Sequence, residues 1–247
     1  MRTLISHFFN EEYLLPWWLK HHVPMFDYGI LIDYSSTDNS VDICRHFAPH
    51  WRVVRSQNLV FDAVSIDFEV QQYEAGLPGW KIALNTTEFL CGADLSKLEM
   101  LIESQQLTGC YFENAVMVDA FPEQAPNPDL PLVEQKFHGF MNTDPDNNHG
   151  RLYHRGTIGG YMPGRHRSFL PHLAIAQGLG TIFWYSMSPW TEPFIRRKLQ
   201  IQTRLSNHDR RANWGSHHVT DAEKLEHKRS GMLENAIDLS PILNLGR

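Results

Sequence analysis

The chain has few cysteines, no surplus of positive charge and no long apolar run, and each shortage closes a class. Cys44, Cys91 and Cys110 have neither paired spacing nor a Cys-x-x-Cys arrangement among 247 residues. A disulfide framework and a cysteine zinc site are therefore not expected, and buried thiols in a reducing compartment are. Lys and Arg number 22 against 28 Asp and Glu, a net charge of −6. That argues against a whole-surface affinity for nucleic acid or anionic membrane, while leaving room for a local basic pocket. No window of about 18 apolar residues is present to span a bilayer. The opening "MRTLISHFFNEEYLL" has one basic residue and an apolar run broken by His7, Asn10, Glu11 and Glu12, which is not the plan of a signal peptide. A cytoplasmic protein with no transmembrane segment and no nucleic-acid partner is expected. Internal repeats and low-complexity tracts are lacking too.

What remains is an ordinary folding composition, 42% hydrophobic and 20% charged, long enough for one domain with a sizeable core. Leu4 to Phe9 is a short apolar run that stops at Asn10, and "EEYLLPWWLKHHV" follows with helical spacing. "YGILIDY" is a second buried strand and "VDICRHFA" a helix launched by the turn residues of "SSTDNS". "WRVVR" is a third strand, and "FDAVSIDFEVQQYEAG" a third helix ended by Gly76. In "IALNTTEFL", Ile82 to Leu90, a buried fourth strand, Trp80 to Leu84, stops abruptly at Asn85, Thr86, Thr87 and Glu88. Short alternation of strand and helix predicts a mostly parallel, Rossmann-like sheet with helices on both faces. The carboxyl ends of its strands, where ligands of open α/β sheets bind, carry Asn10, Glu11, Asp33 to Asp38, Asn58 to Asp62 and Asn85 to Glu88. A single domain over 1–247 is expected, with a nucleotide-binding half over 1–100 and a more irregular acceptor-binding half over 101–247. In the second half, "DLSKLEMLIESQQ" and "EPFIRRKLQIQTRLSNH" read as helices, "GCYFENAVMVDAF" and "TIFWYSMSPW" as strands.

"NEE" at the end of one strand and "STDNS" after the next, at this separation, resemble the amino-terminal half of family 2-like glycosyltransferases with a GT-A fold. The likeness runs to about residue 100 through "GWKIALNTTEFL", and more weakly to "RRKLQIQTRL" and "GSHH". It implies transfer of a sugar from a nucleotide-sugar donor to a carbohydrate or other hydroxyl-bearing acceptor, with inversion. Asn10, Glu11, Asp33, Ser35, Asp38, Asp62, Asn85 and Thr87 would then border the donor. An N-capping turn at "SSTDNS" and a helix N-cap at Asp62 are the plainer readings of the same residues.

Most such enzymes end the fourth strand in Asp-x-Asp, which holds a divalent cation against the donor diphosphate. Here Asn85-Thr86-Thr87-Glu88 stands in its place, a poor ligand set for Mg²⁺ or Mn²⁺. Three readings stay open. Glu88 and a distant histidine, His218, hold a metal; cationic side chains neutralise the diphosphate; or the domain is a catalytically inactive nucleotide- or glycan-binding protein. Candidate cations are Arg165 and His166 with Arg155 and Arg167 in a glycine-containing loop, Arg197 with Arg204 on a later helix, and His218. Glu88 and Asp209 are the candidate catalytic carboxylates, with Asp209 as general base and Glu113 and Asp119 as competitors. Trp184, Tyr185, Trp190 and Trp214 are candidate sugar-stacking rings, with core packing as their plainer role.

Overall fold

A computed structural model describes residues 1–142, 149–157, 160–212 and 219–245. The first half alternates as the spacing predicts: β1 (Arg2–Phe8), α1 (Leu15–His22), β2 (Tyr28–Asp33), α2 (Ser40–Phe47), β3 (Arg52–Arg55), α3 (Ala63–Ala75) and β4 (Trp80–Ala83). These strands lie parallel in the order β3-β2-β1-β4. The two-residue period of the strands sorts their side chains. Leu4, Leu31, Ile82 and Leu84 face a core shared with Trp18 and Leu19 of α1 and Cys44 of α2. Ile5, Ile30, Ile32 and Ala83 face Val70 of α3 on the other side. Helices thus cover both faces of a mostly parallel central sheet. Gly29 is required where β2 passes Trp51, since a Cβ there would lie 2.2 Å from the indole.

The second half continues with β5 (Glu88–Cys91), α4 (Leu95–Ser104), β6 (Gly109–Val118), α5 (Leu132–Gln135), β7 (His138–Met141), β8 (His149–His154), β9 (Leu173–Ile175), β10 (Thr181–Met187), α6 (Glu192–Gln200), α7 (Asn207–Ala212), α8 (Ala222–Leu233) and β11 (Ile237–Asp238). Strand β6 is its spine. It pairs antiparallel with β7 and β8 and parallel with β9 and β10, so this half mixes directions. No helix among the described residues is long and apolar enough to cross a membrane.

The strand expected to stop at its polar end does so: β4 ends at Ala83 and the chain turns at Asn85, where the Glu88 N–H donates to the Asn85 carbonyl at 2.9 Å. Strand β5 then leaves the parallel layer to pair antiparallel with β10. The long helix read over 192–208 ends at Gln200. The Phe61 N–H donates to the Arg204 carbonyl at 2.8 Å and the Ser206 N–H to the Phe61 carbonyl at 2.7 Å, and these bonds pull 204–206 into a bridge incompatible with helix. α7 starts after it.

Candidate functional site

The tips of β1 and β2 lie level, with Phe8 opposite Asp33 in the register. Their loops bind each other directly. Asn10, at φ 49°, accepts from the Thr37 N–H through its side-chain carbonyl at 2.8 Å and donates its own N–H to Ser36 Oγ at 3.0 Å. The Glu11 N–H donates to Ser40 Oγ at 2.8 Å and the Glu12 N–H to Asp38 Oδ2 at 3.1 Å. Asp38 Oδ1 accepts from the Ser40 N–H at 3.0 Å. Asp33 Oδ1 accepts from the Ser36 N–H at 2.8 Å, an Asx-type turn that stabilises a carboxylate only 9% exposed. Asn10, Glu11, Asp33, Ser35 and Asp38 are therefore brought together. Among the described residues the second Asp33 oxygen and the half-buried Ser35 hydroxyl take no partner.

The tip of β4 is built differently. Glu88 is 4% exposed and forms a forked pair with Arg151 of β8, Nε to Oε2 at 2.8 Å and Nη2 to Oε1 at 2.7 Å. Asn85 adds its N–H to Oε2 at 2.8 Å and its side-chain amide to Oε1 at 3.2 Å. Four donors thus saturate one carboxylate. Burial alone pushes the Glu88 carboxyl up; the Arg151 guanidinium and the Asn85 N–H outweigh it, with His166 adding a smaller share, and hold it below the usual carboxylate range.

Beside it, a hairpin turns at Met162-Pro163-Gly164-Arg165, where the Arg165 N–H donates to the Met162 carbonyl at 2.9 Å and Gly164 takes φ 92°. Pro before a glycine of positive φ is the type II pattern. The turn delivers Arg165, 3% exposed, to Asp67 of α3 and to the Asn85 side-chain carbonyl at 2.9 Å. Asp67 also accepts the Gly164 N–H at 2.7 Å. Arg165 Nε and His7 Nδ1, at the neighbouring β1 tip, are buried without a hydrogen-bond partner among the described residues. Burial holds the His7 imidazole well below its usual pKa, and Arg165 and Arg151 hold it lower still.

The segment from α6 to α7 crosses these tips. Arg197 pairs with Glu11, which is 5% exposed. Gln200 donates to the Phe9 and Asn10 carbonyls at 3.3 and 3.2 Å. Arg204 lies 4.0 Å over the Phe9 ring and donates to the Tyr34 carbonyl at 2.8 Å. Asp62 caps α3 by accepting the Ser65 N–H at 3.0 Å, so its plainer reading holds, and it also accepts from Ser206 Oγ at 3.0 Å. Asp209 is fully buried, accepts the Ala63 N–H at 2.9 Å and faces Asp62 and His208, with no edge turned to an incoming acceptor.

Other expected residues are committed elsewhere. Asp119 is paired with Lys136 at 2.8 Å in the interior. Glu113 accepts the Gly178 N–H at 2.9 Å, and Arg155 pairs with Glu103 at 3.0 Å. Thr87 is buried and gives its carbonyl to the Tyr185 N–H at 2.8 Å. Tyr185 packs on Phe89 in the core, and Trp190 packs against Phe194 and Arg229. Trp184, half-buried on β10, pairs in register with Glu88 and Val116. His218 and Trp214 lie outside the described residues. Arg151, Asp67 and His208 were not singled out from the sequence. A lone arginine in "HGRLYH" and three acids on the covered face of α3, Asp67, Glu69 and Glu74, are the signals that point to the first two, and neither signal bears on His208.

A divalent cation does not fit the β4 tip. Both Glu88 oxygens and the Asn85 carbonyl are already taken, and two guanidiniums stand where the ion would sit. The two arginines and the two carboxylates Glu88 and Asp67 cancel in charge. The expected pairing of Glu88 with a metal therefore meets a side chain already spent on Arg151.

No family model matches the chain, and no curated protein does. Among solved structures it is similar to residues 1–349 of S. aureus TarS, at 8% identity and a TM-score of 0.46, over 82% of this chain and 64% of that one. It is also similar to glucosyl-3-phosphoglycerate synthase from Mycobacterium tuberculosis in complex with Mn²⁺, uridine diphosphate and glucosyl-3-phosphoglycerate. There the identity is 14% and the TM-score 0.34, over 46% of this chain and 44% of that one. The chain spans less than two thirds of the length of either. Likeness at these values identifies neither a family nor a ligand.

Proposed function

We propose that the protein is a glycosyltransferase that takes a nucleotide-sugar donor at the carboxyl ends of β1, β2 and β4, with fixed side chains rather than a β4-tip metal facing the diphosphate. One observation carries the reading: two buried polar atoms at adjacent strand tips, His7 Nδ1 and Arg165 Nε, are left unmet, and the Asp33 Oδ2 and Ser35 hydroxyl oxygens of the β2 tip, not themselves buried, also take no partner among the described residues. Buried polar atoms without partners point to a ligand or ordered water. Asp33 and Ser35 suit ribose hydroxyls. Arg165 and His166 suit phosphate oxygens, provided Asp67 shares its cation. The resemblance of "NEE" and "STDNS" to family 2-like glycosyltransferases points the same way, and Asn10, Glu11, Asp38 and Asp62 shape the loops around that edge. Asp209 is not proposed as the base, because its burial keeps it from an acceptor hydroxyl.

A second reading, a nucleotide- or glycan-binding protein without turnover, is favoured by one specific feature. The saturated Glu88–Arg151 pair leaves no acid at the β4 tip for chemistry. Screening nucleotide sugars by thermal shift, followed by hydrolysis and transfer assays with and without Mn²⁺, separates the two. A shift with turnover supports the transferase, a shift without turnover supports the binder, and no shift with any nucleoside diphosphate rejects both.

A further inference from the structure

We propose that Asp62, His208 and Asp209 bind a divalent transition-metal ion that clamps α7 to the N-terminal end of α3. The site is separate from the β4 tip, and the inference does not depend on the transferase reading. His208 Nδ1 lies 3.4 Å from Asp62 Oδ2 and 3.7 Å from Asp209 Oδ1. All three donor atoms fall within 4.8 Å of one another. An ion about 2.1 Å from each donor sets neighbouring ligands roughly 3.0–3.5 Å apart. The two spacings from His208 lie within a few tenths of an ångström of that range and are longer than a direct N–H···O bond of about 2.9 Å, while the two carboxylates, within 4.8 Å of each other, close onto the ion.

The second, independent observation is Asp209 itself. It is fully buried, and its Oδ1, the atom facing His208, has no hydrogen-bond partner among the described residues. A buried carboxylate oxygen left bare, with a second carboxylate beside it, is costly unless a cation joins them. The surroundings are prebuilt for that cation. Ser206 Oγ donates to Asp62 Oδ2 at 3.0 Å and accepts the Asp209 N–H at 2.9 Å, while the Ala63 N–H holds Asp209 Oδ2 at 2.9 Å. Such outer contacts orient ligands. The bonds of 204–206 to Phe61 fix where α7 begins, so the ligands from two distant segments meet without rearrangement.

One imidazole with two carboxylates suits Zn²⁺ or Mn²⁺ better than the all-oxygen preference of Ca²⁺ or Mg²⁺. With three protein ligands and His208 largely exposed, the remaining positions go to water.

The test uses the full chain, stripped with chelator and titrated separately with ZnCl2 and MnCl2 by calorimetry. Bound metal is counted after desalting and the melting temperature is followed in parallel. We expect one equivalent bound and a melting temperature that rises and saturates with it. His208→Ala, a change at an exposed side chain that leaves the fold intact, and Asp209→Asn should each weaken binding at least tenfold. His227→Ala, at an exposed histidine of α8, should leave it unchanged and controls for adventitious uptake by the other histidines. Binding of either ion that persists in both cluster variants, or no tight equivalent in the parent chain, overturns the proposal. No nucleotide enters the experiment, so its failure is distinct from failure of the donor reading.

Discussion

The tips of β1 and β2 and the tip of β4 solve the same problem in opposite ways. At β1 and β2, loops 26 to 29 residues apart in sequence hold each other mainly with backbone N–H groups and short polar side chains, and beyond the Glu11–Arg197 pair that edge keeps Asp33 Oδ2 and the Ser35 hydroxyl unmet among the described residues. At β4, Glu88 and Asp67 are closed by arginines 63 and 98 residues away, and almost nothing polar is exposed. Hydrogen bonds to short side chains at a surface contribute about 1 kcal/mol each and tolerate loss. A buried ion pair is different: its members stabilise little together, yet each is costly alone. The β4 end should therefore be brittle and the β1/β2 end forgiving.

The largest expected effect breaks that contrast at its stiff side. Arg151→Ala leaves Glu88 buried without its cation and should cost about 3–5 kcal/mol in chemical denaturation. Arg151→Met combined with Glu88→Gln should recover most of that loss, because neither charge is then stranded. A double variant no better than the single one would show that the pair acts through packing instead. The same pair sets an acid limit. The Glu88 carboxyl is held below its unfolded value, so its stabilising share is complete above about pH 4.3 and fades as pH falls through the lower folded value. Stability measured between pH 6 and 3 should fall more steeply in the parent chain than in the Arg151→Met, Glu88→Gln double variant.

At the β1/β2 end, Ser40→Ala leaves the buried Glu11 N–H without its acceptor and should cost about 1–3 kcal/mol, less than the stranded charge at β4. Asp33→Asn keeps the acceptor for the Ser36 N–H while removing the charge that the proposed reading offers to a ribose. Its unliganded melting temperature should stay within a few degrees of the parent, while any shift produced by a nucleoside diphosphate is lost. A preserved ligand shift in Asp33→Asn would move the donor away from the β2 tip.

The contrast also explains what the sequence could disclose. The β1/β2 end was legible because its parts are contiguous: a strand that stops at Asn10, another at Asp33, and turn chemistry between Ser35 and Ser40 that brings its own partners. The parallel order of β1 to β4 followed from alternation at short spacing. The β4 end was half legible. Loss of acidity at Asn85 to Glu88 can be read directly, and Pro163-Gly164 marks a turn that presents Arg165. That Arg165 lands on Asn85, or that Arg151 takes Glu88, depends on which strand sits beside β4, and β8 reaches that place only through pairings with β4 and β6. The helix read through 192–208 failed for a related reason, since its interruption comes from Phe61, which no local propensity of residues 200–206 announces.

The smallest expected effect tests whether the open end keeps a cation in reserve. Lys198 of α6 is half-buried beside Arg197, which is already committed to Glu11. Burial lowers its ammonium to about 7, and Arg197 and Lys228 add to that. A lysine whose folded value lies below its unfolded value of about 10.4 binds fewer protons when folded across the interval between them. The unfavourable term is thus fully present below pH 7 and is relieved as pH rises from 7 toward 10, so stability should climb over that window. Lys198→Met should flatten the climb and stabilise the chain slightly below pH 7, read as a small rise in melting temperature at pH 6. If it also strengthens nothing and weakens a nucleoside-diphosphate shift at pH 6, where the side chain is charged, then Lys198 supplies to the donor the positive charge that Arg165 and Arg151 have spent on Asp67 and Glu88. If the shift is untouched, the reserve cation lies away from the proposed donor edge, and the two ends differ in polarity alone.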